Sequence, residues 1–310
     1  MSTEKAKCNW DLQGKAFIEQ DAVKESFIKN VMGIHRKSEA DAEAIYNREV
    51  TYLKKALSES AALAECTSLS LYAAFMEVSI TGLSIQPGSK SEAYLESRGQ
   101  KTKNGTQEVW VKIACLKISA YGELNMRIAS GQILCMMNPI VLYEGDLFQP
   151  RTNDHGHLIV QYVPKIPRQK EAKIFGCYVE VVLPNGLYDY KWLLDEDIER
   201  LANYSKPKSG ENPKANALYT ANGGQIDPGF LEAKTIKHAF RSKTKLKVGD
   251  AVAFEGDDDT TITDNAPFED KPANTAPNAE NGATAPNAPQ ASAKDDKAPV
   301  VVKDNDDGLF

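Results

Sequence analysis

The sequence predicts an α+β fold: a helical N-terminal part, an antiparallel sheet with a β-hairpin and packed helices, and a disordered acidic C-terminal tail. Three observations carry that expectation. Apolar residues recur at helical spacing between Val23 and Ile80. They alternate at period two around Val109, Val111 and Ile113, next to an Asn104-Gly105 turn signal. Beyond about Asp250 large apolar residues give way to Ala, Pro, Asn and Asp. The chain divides into an N-terminal segment (1–36), a core (37–250), an Ala/Pro/Asn-rich acidic linker (251–299) and a C-terminal tip (300–310).

Taken in order, VKESFIKNV from Val23 to Val31 predicts a short amphipathic helix. Ser38 and Asp41 form a capping-box pattern opening a helix through Leu57. A further helix is expected over Leu63–Ile80, stopped by Gly82 in a left-handed cap. Ala93-Tyr94-Leu95 reads as a strand, and the hairpin turn leads into a second strand running to Ile118, half-buried through Val109, Val111 and Ile113. Ala120–Ala129 is a short helix ended by Gly131. Strands are expected at 133–142, 158–163, 175–182 and 188–193, the last two joined by Pro184-Asn185-Gly186. Asp195 is placed as the N-cap of a helix over 196–203, residues 205–225 as a polar loop, and Asp227-Pro228 as the cap and first residue of a helix reaching about Ser242.

Charge is unevenly distributed. The whole chain is −6, but residues 251–310 alone carry 13 acidic and 4 basic side chains, net −9, so residues 1–250 are +3. A mildly basic body admits anionic partners that the whole-chain balance would argue against. No apolar run approaches the ~20 residues a membrane span needs. The first residues lack an apolar secretory segment, so a cytoplasmic location with no membrane association is expected. The five cysteines have no CxxC spacing and suggest neither a disulfide framework nor zinc; Cys115 and Cys135 are read as buried thiols.

The chemistry-bearing residues point away from catalysis. Pro87-Gly88-Ser89-Lys90-Ser91 does not satisfy the nucleotide-binding loop pattern, and no strand precedes it, so no nucleotide cofactor is expected. His155-Gly156-His157 lacks further ligands nearby, and the acids at 195–199 are explained by a helix start. No nucleophile–base arrangement is identifiable, so no enzyme activity is expected. Two basic groups remain. On the helix from Gly229, Lys234, Lys237, His238 and Arg241 share an arc of about 100°, opposite an apolar arc of Ala233, Ile236, Ala239 and Phe240. A solvated face usually mixes signs; this one carries no acid, which favours an anion-facing surface. Upstream, Lys112, Lys117 and Arg127 flank Trp110 and Tyr121, a mixture suited to phosphates and stacked bases. There the spacing leaves alternatives open: Arg127 can pair with Glu123 four residues earlier, and Trp110 can belong to the core.

Several short motifs resemble a known family. They are Gly82-Leu83 with Gln86-Pro87-Gly88, Ala93-Tyr94-Leu95, Ser119-Ala120-Tyr121-Gly122, Ser130-Gly131-Gln132-Ile133 and Glu144-Gly145-Asp146 with Phe148. The strand pair around Cys177–Tyr190 and the stretch from Ile198-Glu199 to Ser205-Lys206 follow, then Leu231, Lys234, Lys237, Phe240 and Arg241. In this order, over about residues 40–247, they resemble the RecT family of bacteriophage single-strand DNA annealing proteins, related to Redβ. The chain departs from the pattern where Tyr121 takes a basic slot and Ile128-Ala129 replaces a pair of arginines. The resemblance implies an annealing-protein core that assembles as rings or helical filaments. It also implies that the protein binds single-stranded DNA, pairs it with its complement without ATP, and works beside a 5′→3′ exonuclease. The alternative is a protein that binds and protects single strands without annealing them. The end of the chain, with Asp304, Asp306, Asp307, Leu309 and Phe310, is similar to the acidic, Phe-ending tip of bacterial single-strand binding proteins. That likeness implies docking to host proteins that read such tips.

Overall fold

Ser38 opens the longest helix as its spacing predicts. Its hydroxyl accepts from the Asp41 N–H at 3.2 Å and donates to the Asp41 carboxylate at 2.7 Å, a cap of the kind worth ~1 kcal/mol. The computed structural model describes residues 7–104, 107–169, 171–206, 214–248 and 252–254. The acidic linker from 255 onward and the C-terminal tip, with Asp304, Asp306, Asp307, Leu309 and Phe310, lie outside the described residues.

The N-terminal half is helical: α1 (Gly14–Ile18), α2 (Asp21–His35), α3 (Glu39–Glu59), α4 (Ala61–Ala64) and α5 (Ser68–Thr81). Phe17, Phe27, Leu53, Leu71 and Phe75 make its core. The expected helix over 63–80 is two helices, because Thr67 caps α5 through the Ser70 N–H and interrupts the run. Gly82 ends α5 at φ +71°, and a Cβ there would also meet the His35 ring at 2.8 Å.

Next comes a ribbon of two 12-residue strands, β1 (Ala93–Asn104) and β2 (Gln107–Ile118), paired antiparallel from Ala93↔Ile118 to Asn104↔Gln107. The ladder ends with Asn104 opposite Gln107, and Gly105 and Thr106 lie outside the described residues. The alternation here buries the other face from the one expected. Ala114, Leu116 and Ile118 pack on the helical core, while Val109 is exposed and Val111 and Ile113 are only half-buried. Valines at period two mark a pleat, but α5 lies against the face carrying Ala114, whose N–H donates to Ser70 Oγ at 2.9 Å.

Helix α6 (Ala120–Ala129) matches its predicted bounds and bridges the two halves. Ser119 caps it and donates to the Ser91 carbonyl at 2.5 Å. Gly122 is demanded by close approach: a Cβ would lie 2.1 Å from the Glu92 carbonyl oxygen.

The C-terminal half is built on β7 (Ile174–Val182). β3 (Cys135–Met136) and β4 (Ile140–Tyr143) pair along one edge and β8 (Tyr188–Leu194) along the other, all antiparallel. The single strand expected over 133–142 is broken at Asn138-Pro139, since proline has no N–H for the ladder. A hairpin of β5 (Leu147–Thr152) and β6 (Leu158–Val163) covers the sheet's aromatic face, with Phe148 against Tyr178 and Trp192; β5 has no counterpart in the sequence reading. The other face carries Cys177, Val179 and Val181 and receives α8 (Pro228–Phe240). Burial pushes the Cys177 thiol up to about 12, making it an inert packing group. Cys115 and Cys135 are half-buried rather than buried.

Helix α7 (Asp195–Tyr204) starts one residue earlier than expected. Leu194, not Asp195, is its N-cap, and the Asp197 carboxylate accepts the Leu194 N–H at 3.3 Å. Within the expected polar loop, the 3-10 turn Ala217–Tyr219 buries Tyr219 against Phe230. After α8, β9 (Leu246–Val248) pairs with β10 (Val252–Phe254). Among the described residues no helix is long and apolar enough to cross a membrane.

Candidate nucleic-acid interface

Helix α8 begins where Asp227 accepts the Phe230 N–H at 2.8 Å and Pro228 takes the first turn. Phe230, Leu231, Ala233, Thr235, Ile236, Ala239 and Phe240 are buried between sheet and α6. Lys234, Lys237 and His238 occupy the remaining arc, half-buried, and Arg241 just beyond it is exposed. The predicted basic face is therefore left accessible by packing, as is Glu232 on another side of α8. Its members differ. Lys234 rests over the Phe230 ring, Nζ 5.1 Å from the centroid. His238 has its pKa lowered by burial and by Arg241, Lys191 and Arg200, against an opposing pull from Asp197, so at neutral pH it adds no charge. Among the described residues, no carboxylate forms a salt bridge with Lys237 or Arg241.

Elements distant in sequence extend this surface. The groups that act on His238 include Lys191 from β8 and Arg200 from α7. Lys191 and Lys243 share Asp189, at 3.5 and 2.7 Å, and Arg200 pairs with Asp197 at 2.5 Å. Beside them Ser130, Gln132, Lys243, Thr244 and Lys245 line an open recess of about 740 Å³. Its walls are tied together internally, with Ser130 Oγ donating to the Arg127 carbonyl at 3.0 Å and Lys243 held by Asp189. The positive charge of Lys243 and Lys245 still favours phosphodiester oxygens, which carry no base identity.

Arg127 has a different place from the one its charge suggests. Its side chain is 5 % exposed. It donates twice to Glu123 Oε1, at 2.6 and 3.0 Å, to Gln132 Oε1 at 2.6 Å and to the Thr244 carbonyl at 3.3 Å. These bonds use four of the five guanidinium N–H groups, and the buried side chain holds the recess walls in place rather than facing a ligand. Gln132 adds a bond from Nε2 to the Lys245 carbonyl at 3.0 Å.

The upstream candidates are dispersed: Lys112 and Lys117 stand on the ribbon, whereas Tyr121 of α6 packs against the cluster of Ala233, Ile236, Ala239 and Phe240 of α8. Lys112, on the ribbon, is exposed and pairs at 2.5 Å with Glu65, the C-cap of α4. Lys117 is half-buried on the ribbon's opposite face, across from Tyr94. Tyr121 is half-buried on α6 with Lys90 Nζ 5.6 Å from its ring centre, and burial, with Glu232 nearby, raises its phenol pKa. Trp110, for which the sequence left core and surface both open, is 67 % exposed.

Sequence reasoning missed Lys191, Arg200, Lys243, Lys245, Ser130 and Gln132 as neighbours of the basic helix. Ser130 and Gln132 did stand in a legible motif, and Lys243-Thr244-Lys245 directly follows the helix. Lys191 and Arg200 carry no local signal, because strand pairing and helix packing bring them in.

Compared with known families, residues 43–223, more than half of the chain, match the RecT family. The chain belongs to the RecT family. Membership places it among proteins of DNA recombination by single-strand annealing, which are generally not enzymes. The match includes the ribbon, α6, Gln132, Lys191 and Arg200; it ends at Gly223, before α8 begins at Pro228. No curated protein matches the chain.

Proposed function

We propose that this RecT-family chain binds single-stranded DNA and promotes ATP-independent annealing of complementary strands in phage-type recombination. The observation that carries the reading is the arc of α8 left open by packing. There Lys237 and Arg241 stand without carboxylate partners among the described residues, beside the recess of Ser130, Gln132, Lys243, Thr244 and Lys245. Annealing requires two polyanions to approach while their base edges stay free. Cations and backbone-type donors screen the phosphates without reading bases, so this chemistry fits annealing better than sequence-specific binding. We place the protein in the bacterial cytoplasm as a homo-oligomer, ring or filament, acting on single strands and the annealed duplex beside a 5′→3′ exonuclease. The acidic Phe-ending tip serves host proteins that read such ends. Removing the last eight residues should then shorten the list of host proteins captured from a lysate.

The deciding experiment mixes complementary oligonucleotides with the full-length protein in the absence of nucleoside triphosphate, across a salt titration. Faster annealing than in protein-free buffer, diminishing with salt, is expected. Binding and nuclease protection with no gain in annealing rate would support the protective alternative instead, and an absence of both would overturn the proposal.

A further inference from the structure

The ribbon β1/β2 has one face with a change of character along its length. Residues paired across an antiparallel ladder share a face. One face therefore runs Ala93, Leu95, Ser97, Gly99, Lys101 and Lys103 on β1, and Ile118, Leu116, Ala114, Lys112, Trp110 and Glu108 on β2. The part nearest the bundle is apolar and packs on the helical core. Past Ser97 the same face turns to glycine, lysine and tryptophan. Trp110 lies across Gly99, where a Cβ would sit 3.5 Å from the ring, and Lys101 Nζ is 5.5 Å from the ring centre. Trp110 and Lys112 are exposed, as are Lys101 and Lys103.

We infer that Trp110 is a stacking platform for a base of single-stranded DNA, with Lys101, Lys103 and Lys112 of the same ribbon face taking the flanking phosphates. This rests on the single-strand reading above and adds a second contact region, on the bundle half of the protein. An exposed indole whose edge rests beside Gly99 presents a π-face at little further ordering cost, and a base stacks on it whatever its identity. The charge around the ring selects an anionic occupant, because three lysines stand against Glu108 on this part of the ribbon face. The two ion pairs present, Lys101–Glu108 at 3.3 Å and Lys112–Glu65 at 2.5 Å, join exposed side chains. Pairs of that kind are weak enough for phosphates to displace the carboxylates.

The test uses full-length protein with Trp10→Phe and Trp192→Phe, leaving Trp110 as the sole indole emitter, titrated with oligo(dT). Quenching of Trp110 is expected. Trp110→Ala in the wild-type background should weaken oligo(dT) binding by about tenfold or more, and Trp110→Phe by much less, since a ring remains to stack. Melting temperature and oligomer distribution without DNA should be unchanged. Absent quenching with unaltered affinity would overturn the inference; if Lys237→Ala still weakened binding, the annealing reading would survive it. A shift in oligomer distribution in Trp110→Ala without DNA would also overturn it, making the ring a contact between copies of the chain.

Discussion

The Arg127 guanidinium lies 4.9 Å from the centre of the Phe240 ring, stacking the buried cation of α6 on the last residue of α8. With its bonds to Glu123, Gln132 and Thr244, this contact joins α6 to the segment that carries the basic surface. Arg127→Ala strands the Glu123 carboxylate, which is only 14 % exposed, and leaves a void beside Phe240. The expected loss is about 3–5 kcal/mol. In a protein of this size that lowers the melting temperature by roughly 6–20 °C, at ~2–4 °C per kcal/mol. Lysine cannot reproduce the forked bonds, so Arg127→Lys should recover only part of the loss. A melting point within a degree of wild type in the alanine variant would return Arg127 to the candidate DNA contacts.

The α8 cations should behave as phosphate contacts. Lys237→Ala and Arg241→Ala are each expected to weaken binding to all oligonucleotide sequences alike. Each should also reduce the slope of log affinity against log salt by ~0.7 for single strands. Melting temperatures should stay near wild type, because neither side chain is part of the packed face. Filter binding at four or five salt concentrations measures this, and an unchanged slope would make the arc an ordinary solvated face.

Two glycines of α6 and its exit should respond differently to the same substitution. Gly131 has φ +70° with open space around its Cβ position, so Gly131→Ala costs the conformational penalty alone, about 1 kcal/mol. Gly122 has no such φ, but its Cβ would sit 2.1 Å from the Glu92 carbonyl oxygen. Relief there requires parting α6 from the start of β1, so Gly122→Ala should be destabilised well beyond Gly131→Ala in a urea melt. Equal losses would argue against the close approach.

The contrast explains what was legible in the sequence. Local signals located the helix starts at Ser38 and Asp227 because capping is a contact within three residues. The amphipathic arc of α8 was readable because the helix period is fixed. Period-two alternation located β2 but not its buried side, which Ser70 of α5 and the helical core decide. Arg127 and Glu123 were readable as a pair, but not the burial that enclosing contacts from Phe240, Gln132 and Thr244 impose. The site inherits the same division. Lys237 and Arg241 were found from one helix, whereas Lys191 and Arg200 join them only through the pairing of β8 and the packing of α7.

His238 supplies a pH prediction whose sign is fixed by its surroundings. Burial comes first, and Arg241, Lys191 and Arg200 add to it against the opposing Asp197, so the folded pKa lies below the ordinary ~6.5. Above ~6.5 both folded and unfolded chains hold the imidazole neutral, and its contribution to stability is fully present. As pH falls through that value the unfolded chain takes up a proton that the folded chain refuses. Stability is then lost until the lowered folded pKa is passed, below which the loss levels off. His238→Gln, which cannot titrate, should therefore melt with a flatter pH dependence than wild type between about pH 7 and 5. The same neutrality bears on binding. At pH 7.5 His238→Gln should leave the salt slope unchanged, unlike Lys237→Ala, while only below the lowered folded pKa does the wild type gain positive charge at this arc and bind DNA more tightly than the variant. A slope at pH 7.5 reduced as much as in Lys237→Ala would mean that the imidazole is charged in the folded protein, and that the surrounding cations do not set its state.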